Sequence, residues 1–114
     1  MTLKDIAGKL EMRVETAEEG LQKEVTGGYV SDLLSDVMAQ SKPGDIWITL
    51  QAHPNIIAVA SLKELAGIVI VQGRKPEEET LKKAHNEEIP ILVSDLQAFE
   101  IVGRLYQMGI SGMR

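Results

Sequence analysis

Six residues that follow three short apolar runs are the ones whose types could bind a ligand. They are Gln51, His53, Asn55, Gly73, Arg74 and Ser94. Imidazole, guanidinium, amide and hydroxyl groups donate hydrogen bonds to oxyanions, and ligands of α/β proteins commonly bind where parallel strands end. The sequence therefore predicts a site for a small anion, such as a nucleotide or a phosphorylated metabolite.

The segment from Gln51 to Asn55 stands before an apolar helical segment and carries the clearest anion-binding signal. Backbone N–H groups at a helix N-terminus attract anions, and the first acidic residue after this segment is Glu64. The positive end of the helix is therefore not neutralised by acids of its own first turn. The alternative is that His53 or Asn55 serves only as a helix cap beside Pro54.

The other candidates also have a structural alternative. Gly73 and Arg74 would complete an anion pocket from a neighbouring strand, or they form a solvated loop whose cation offsets Glu77–Glu79. Ser94 would add a hydroxyl group, but the run from Ser94 to Gln97 also matches a capping box that starts the next helix. The sequence leaves both alternatives open.

No motif typical of catalysis or of a cofactor site occurs. A nucleophile elbow, a phosphate-binding loop, a dinucleotide fingerprint and a pair of catalytic carboxylates are absent. His53 and His85 do not have the spacing of metal ligands, and His85 three residues before Glu88 is typical of a helix surface. Catalysis would rest on His53 as a lone base with no partner to orient it. We therefore predict no enzymatic activity, no metal and no cofactor.

Composition excludes further function classes. The chain has 114 residues, no cysteine and a formal net charge of −5. The lack of cysteine rules out disulfides and thiolate zinc sites and fits a cytoplasmic protein, and the lack of a basic stripe argues against nucleic-acid binding. The apolar runs are too short to cross a membrane, and the N-terminus has no apolar signal-peptide core.

Three apolar runs predict the strands that position the candidate residues. They are Ile46–Leu50, Ile68–Val71 and Ile89–Val93. Each is short, continuous and rich in β-branched residues, as is typical of strands covered on both faces, so Trp47 should be buried. The two intervals are equally long, and each has room for a helix and two loops. The pattern predicts successive βαβ crossovers in an α/β fold, a three-layer α/β/α sandwich with a central parallel or mixed sheet.

Capping residues and periodicity predict the remaining elements. Thr2 and Ser31 are expected to cap helices, Gly67 to end one, and Pro76 to start one. Alternation over 12–16 and 21–25 predicts a hairpin of two short strands, followed by a loop at the glycine pair 27–28. The predicted buried residues of the second and last helices are Leu33, Leu34, Val37, Met38, Phe99, Val102, Leu105 and Tyr106.

One domain is expected over 1–114. It comprises an N-terminal helix with two short strands (1–30), an α/β core (31–109) that Gly109 terminates, and a loose tail (110–114).

Several runs of residues form a pattern that is longer than any single motif. They are Ser31–Val37, Gly44–Thr49, His53–Ala60, Gly73 with Pro76 and Glu79, Lys83-Ala84 and Ile89–Leu92. On these runs the chain resembles the DRTGG-domain family, in particular its small stand-alone members. The resemblance implies the fold of the N-terminal domain of HPr kinase and a role as a regulatory or dimer-forming module, as in some phosphotransacetylases and regulated pyrophosphatases.

The chain departs from this family at the elements that give the family its name. The Asp-Arg-Thr element should fall near the end of the first parallel strand, where this chain has Ala52, His53 and Pro54. The glycine pair should fall near Gln72 and Gly73, which leaves one glycine. The roles of the replaced residues therefore do not transfer to this chain.

The residues and the resemblance together predict a non-enzymatic regulatory module that is homodimeric and senses a small anionic ligand or a partner protein. The competing prediction is a protein-interaction or assembly domain without a ligand. A third class, a small enzyme that uses His53, would need a carboxylate within hydrogen-bond reach of that ring.

Overall fold

Within residues 1–113, which a computed structural model describes, the chain forms helices that alternate with strands. The helices are α1 (Leu3–Lys9), α2 (Leu34–Gln40), α3 (Asn55–Leu62), α4 (Glu78–Glu87) and α5 (Ala98–Gln107). The strands are β1 (Arg13–Thr16), β2 (Gly27–Val30), β3 (Asp45–Thr49), β4 (Gly67–Ile70) and β5 (Ile91–Val93). A 3₁₀ turn, Glu18–Gln22, lies between β1 and β2.

All the strands belong to one mixed sheet with the order β1-β5-β4-β3-β2. Strands β2 to β5 are parallel neighbours in chain order, and β1 pairs antiparallel with β5. This topology confirms the predicted α/β sandwich and the parallel pairing of the three central strands.

Two separate cores cover the two faces of the sheet because successive side chains of a strand point to opposite faces. On one face, Ile48 packs with side chains of α1 and α5. On the other face, Trp47 packs with side chains of α2, α3 and α4. Trp47 is completely buried, as predicted. The strands are apolar at successive positions because the sheet is the middle layer of three and helices cover both of its faces.

The predicted N-terminal hairpin does not form, although its first strand, 12–16, is confirmed as β1, which pairs with β5. The alternation over 21–25 does not form a strand of the sheet, because 18–22 is a 3₁₀ turn and Glu24 makes only an isolated antiparallel bridge with Thr2. Gly20 lets this turn approach Pro90, where an added Cβ would lie 2.8 Å from the proline Cγ. Gly27 and Gly28, predicted as a loop, instead belong to β2, which pairs with β3. Thr2 does cap α1, and its hydroxyl and the Asp5 carboxylate form a capping box.

Two predicted serine caps were also wrong. Helix α2 begins at Leu34 and α5 begins at Ala98, so both helices start later than the serines imply. The Ser31 hydroxyl accepts a hydrogen bond from Leu33 N, and the Ser94 hydroxyl accepts one from Leu96 N. Each serine forms a local turn that competes with a cap.

Gly67 starts β4 and does not end α3. The left-handed residue after α3 is Glu64, with φ 54°. An added Cβ at Gly67 would lie 2.9 Å from Leu3 Cδ1 of α1 and 3.3 Å from the Pro90 carbonyl oxygen, so a larger residue would force these neighbours to shift.

Several predicted buried faces were wrong in part. Leu33, Met38, Phe99 and Tyr106 are exposed, while Val37 and Leu105 are buried as expected. Gly109 has φ 93° and follows the end of α5, as predicted. Ile110 is buried in the core, so the predicted tail does not begin there, and Arg114 lies outside the described residues.

Candidate functional site

The six candidate residues lie at one edge of the sheet, where its parallel strands end. Thr49 of β3 is level with Ile70 of β4, and Ile70 is level with Val93 of β5. The segment 51–55 follows β3, residues 73 and 74 follow β4, and residue 94 follows β5. The fold therefore brings the three candidate segments to neighbouring strand ends.

His53 contributes to the start of α3. Its Nδ1 atom accepts a hydrogen bond from Asn55 N at 3.1 Å, while Pro54 occupies the N-cap position. Ile56 N and Ile57 N donate to the carbonyls of His53 and Pro54. These N–H groups of the first turn thus have partners inside the chain. With Nδ1 as acceptor, a neutral imidazole carries its proton on Nε2, so the exposed ring presents a donor.

The Gln51 side chain belongs to a hydrogen-bonded network that the sequence did not reveal. Asp32 Oδ1 accepts bonds from Thr49 Oγ1 at 2.8 Å and from Leu50 N at 2.7 Å. Gln51 Nε2 donates to the Asp32 carbonyl at 2.8 Å. The network ties the loop after β2 to the end of β3. Asp32 was missed because β2 itself was not predicted, so nothing placed this aspartate at a strand end.

The segment 51–55 is also fixed from the side of α4. The Ala52 carbonyl accepts a bond from Glu77 N at 3.2 Å and one from Thr80 Oγ1 at 2.7 Å. Thr80 is completely buried. This contact holds the loop that carries His53 against the start of α4.

Gly73 stands in a tight turn that joins two strand ends. Gln72 and Gly73 both have left-handed backbones, with φ 61° and 67°. Gln72 N donates to the Leu96 carbonyl at 2.9 Å, and Gly73 N donates to the Ser94 carbonyl at 2.8 Å. These bonds occupy the backbone donors of the turn, whereas the Arg74 side chain is exposed.

The candidate residues whose side-chain donors are exposed at this edge are His53, Asn55 and Arg74, and the neighbouring Lys75 is exposed as well. No acidic residue lies in the first turn of α3. Such a set can bind an oxyanion at the surface. Among residues 1–113, no group of three or more histidine, cysteine, aspartate or glutamate side chains is placed to hold a metal ion. None of the helices in the same range is long and apolar enough to cross a bilayer.

Away from this edge, a concave feature lies between β2 and α5, and we call it the α5 groove. It has a volume of about 140 Å³, and its walls include Tyr29, Val30, Val102, Tyr106 and Ile110. The Tyr106 hydroxyl accepts a hydrogen bond from Gly112 N, which together with the Ser111 side chain lowers the pKa of Tyr106. The Tyr29 hydroxyl donates to Asp36 at 2.8 Å, which raises the pKa of Tyr29.

Comparison with known proteins identifies relatives of the whole described fold. The DRTGG domain family model matches residues 5–108. The structure is similar to that of the CBS and DRTGG domains of the regulatory region of Clostridium perfringens pyrophosphatase, which was crystallised with its activator, diadenosine tetraphosphate. The TM-score is 0.72 at 19% sequence identity, over 97% of this chain and 48% of that one. This chain thus spans about half the length of its structural relative. No curated protein matches the sequence at a significant level.

Proposed function

Because the chain belongs to the DRTGG-domain family, we propose that it is a non-enzymatic regulatory module that forms a homodimer and binds a small anion. The observation that carries the proposal is that nearly the whole chain, 97%, has the fold of part of a regulatory region. That region is from a protein whose activator is a dinucleotide with four phosphates. A nucleotide or a phosphorylated metabolite is accordingly the ligand class proposed here.

The proposed site is the sheet edge at α3. His53, Asn55 and Arg74 are exposed and would donate hydrogen bonds to phosphate oxygens. Gln51, Gly73 and Ser94 are held by the bonds described above and would keep the loops in position. The chain has a net charge of −5, so binding would rest on these local donors and not on long-range attraction.

Thermal unfolding with a panel of anions tests the proposal. The panel is inorganic phosphate, AMP, ATP and diadenosine tetraphosphate. A ligand at one hundred times its dissociation constant adds about 2.7 kcal/mol to the free energy of unfolding, so at least one should raise the melting temperature. His53→Asn retains an acceptor for the start of α3 but removes the imidazole, and with Arg74→Ala it should abolish the shift. Lys82→Ala, which removes an exposed cation of α4, is the matched control.

A ligand-free assembly domain is the second candidate function. The N–H groups of Asn55, Ile56, Ile57, Gln72 and Gly73 all donate to acceptors within the chain, and this observation favours it. If no anion raises the melting temperature while the protein is dimeric, assembly becomes the better account. The enzymatic alternative gains no support, because the His53 Nδ1 atom accepts a backbone hydrogen bond where a catalytic base would be oriented by a carboxylate.

A further inference from the structure

The outer face of α5 exposes two aromatic side chains. Phe99 is 91% exposed and Tyr106 is 56% exposed, and the chain has only one phenylalanine. Phe99, Gly103 and Gln107 recur every four residues, so they line the same side of the helix. Gly103 is exposed, and an added Cβ there would meet nothing within 4 Å. This line of residues carries no charge.

The α5 groove lies along one flank of this line. Val102 and Tyr106 of α5 form one wall, and Val30 of β2 forms the other. An apolar cavity of roughly 150 Å³ accepts a benzene ring, and the groove is of that size, at about 140 Å³. One aromatic side chain from outside would therefore fill it.

The strand that borders the groove lacks the usual protection of a sheet edge. The opposite edge, β1, carries Arg13 and Glu15 and has an irregular register between Val14 and Thr16, features that discourage strand contacts. The residues of β2, from Gly27 to Val30, include no charge and no proline. The β2 side of the molecule is therefore the edge suited to association.

The other flank of the uncharged line carries a pair of opposite charges. Glu100 Oε2 and Arg104 Nε are 3.0 Å apart and lie one turn from each other. If a second α5 lies antiparallel with its midpoint near Gly103, Glu100 of one copy comes opposite Arg104 of the other. The same arrangement brings Phe99 of one copy to Tyr106 and the groove of the other. Both contacts repeat by the two-fold symmetry that such dimers have.

We propose that the homodimer forms through antiparallel α5 helices, with Phe99 of each copy inserted into the α5 groove of the other. Gly103 lies at the two-fold axis, where the absence of a side chain lets the helices approach closely. Because each copy has a net charge of −5, contact is least opposed along an uncharged line with complementary charges beside it. This inference rests on the proposed function, since it names the surface by which the homodimer would form.

Analytical ultracentrifugation of single variants is the first test. Phe99→Glu should raise the dimer dissociation constant by about 30-fold or more, as expected for the loss of a central aromatic anchor. Leu62→Glu is the matched control, because Leu62 is 71% exposed on α3 and lies outside the α5 surface. Gly103→Gln should favour the helix of the monomer but weaken the dimer. A circular dichroism melt of each variant, compared at a concentration where the protein is monomeric, separates dissociation from unfolding.

A mixing experiment tests the contacts of Glu100 with Arg104 between copies separately from the Glu100–Arg104 pair within one helix. Arg104→Glu leaves two acidic residues on each copy, and Glu100→Arg leaves two basic ones, so each variant alone should dimerise more weakly than wild type. Mixed in equal amounts, the two variants should form a heterodimer, since only the contact between copies can restore opposite charges.

The outcomes separate this inference from the broader proposal. A wild-type dimer that Phe99→Glu leaves intact, or that Leu62→Glu disrupts instead, overturns the α5 interface and leaves the homodimer standing. A wild-type monomer at high micromolar concentration overturns both, while the anion panel still tests ligand binding separately. Failure of the two charge variants to prefer each other overturns the antiparallel arrangement.

Discussion

Nδ1 of His53 accepts the backbone N–H of Asn55 at 3.1 Å, so the histidine that stands out in the sequence supports the start of α3. We expect His53→Ala to lower the free energy of unfolding by about 0.5–2 kcal/mol, the usual effect of losing a side-chain acceptor at a helix start. His53→Asn should lose less, because the amide oxygen can accept the same bond. Urea denaturation measures the difference.

His85→Ala is the control for this prediction. His85 is exposed on α4, and its removal should change stability by less than about 0.5 kcal/mol. Equal effects of His53→Ala and His85→Ala would mean that the bond from Asn55 N to His53 contributes nothing to the free energy of unfolding. The His53 imidazole could then bind a ligand without a loss of stability.

The sequence predicted the elements whose residues are covered on both sides. Ile68 and Ile91 belong to runs that are apolar at every position because one core lies on each face of the sheet. The edge strand β2 escaped prediction, since its glycines carry no pattern and its pairing with β3 is a long-range contact. Phe99 was assigned to the core because periodicity distinguishes apolar from polar faces but does not say whether the apolar face meets the sheet or a second molecule.

The position of the candidate site at the strand ends could be predicted from the sequence, but the hydrogen bonds of the site could not. The strand ends after β3 and β4 were predictable, and His53 and Gly73 follow them. Whether the backbone N–H groups at these strand ends have acceptors depends on which distant segments of the chain pack against them. For example, the Leu96 carbonyl accepts a hydrogen bond from Gln72 N. Ser94 matched a capping box, but its hydroxyl bonds two residues ahead, an alternative that the same local sequence permits.

Asp32 should be important for stability because its carboxylate accepts two hydrogen bonds from the end of β3. Asp32→Ala leaves Thr49 Oγ1, in a residue only 2% exposed, and Leu50 N without their acceptor. We expect a loss of about 1–3 kcal/mol in the free energy of unfolding, the usual penalty for a buried polar group without a partner. Asp32→Asn retains one oxygen and should cost less.

Asp95→Ala provides the comparison at the same sheet edge. Asp95 pairs with Arg13 at 3.2 Å, but both side chains are largely exposed, so the loss should stay below about 1 kcal/mol. Chemical denaturation of Asp32→Ala and Asp95→Ala compares the two losses in the free energy of unfolding. If Asp95→Ala proved the more damaging, the Asp32 network would not hold the loop after β2 as described.

Substitution of Trp47 tests whether helices α2, α3 and α4 exclude water from the face of the sheet that they cover. Its side chain is completely buried, and its Nε1 donates to the Ser31 carbonyl at 2.9 Å. Trp47→Ala should cost about 3–5 kcal/mol because a large cavity remains. Trp47→Phe should cost less, since it keeps a ring but loses the bond to Ser31. Because Trp47 is the only tryptophan, circular dichroism must follow the melts. A loss below about 1 kcal/mol for alanine would contradict the closed face.

The turn after β4 allows the sharpest test of the family resemblance. The resemblance places a glycine pair near Gln72 and Gly73, and both positions have left-handed φ angles, 61° and 67°. The backbone thus has the conformation of a glycine pair although one glycine is replaced. A non-glycine residue in this conformation costs roughly 1–2 kcal/mol, so Gln72→Gly should recover part of that energy.

Gly73→Ala should have the opposite effect, for two reasons that act together. Alanine is strained at a φ of 67°, and its Cβ would lie 3.0 Å from Asp95 Oδ1. We expect a loss of about 1–2 kcal/mol. Gly8→Ala is the control, because Gly8 is helical with nothing within 4 Å of an added Cβ and should gain about 0.5–1 kcal/mol. If Gln72→Gly instead destabilises the protein, the Gln72 side chain makes a contribution to stability that outweighs the backbone strain.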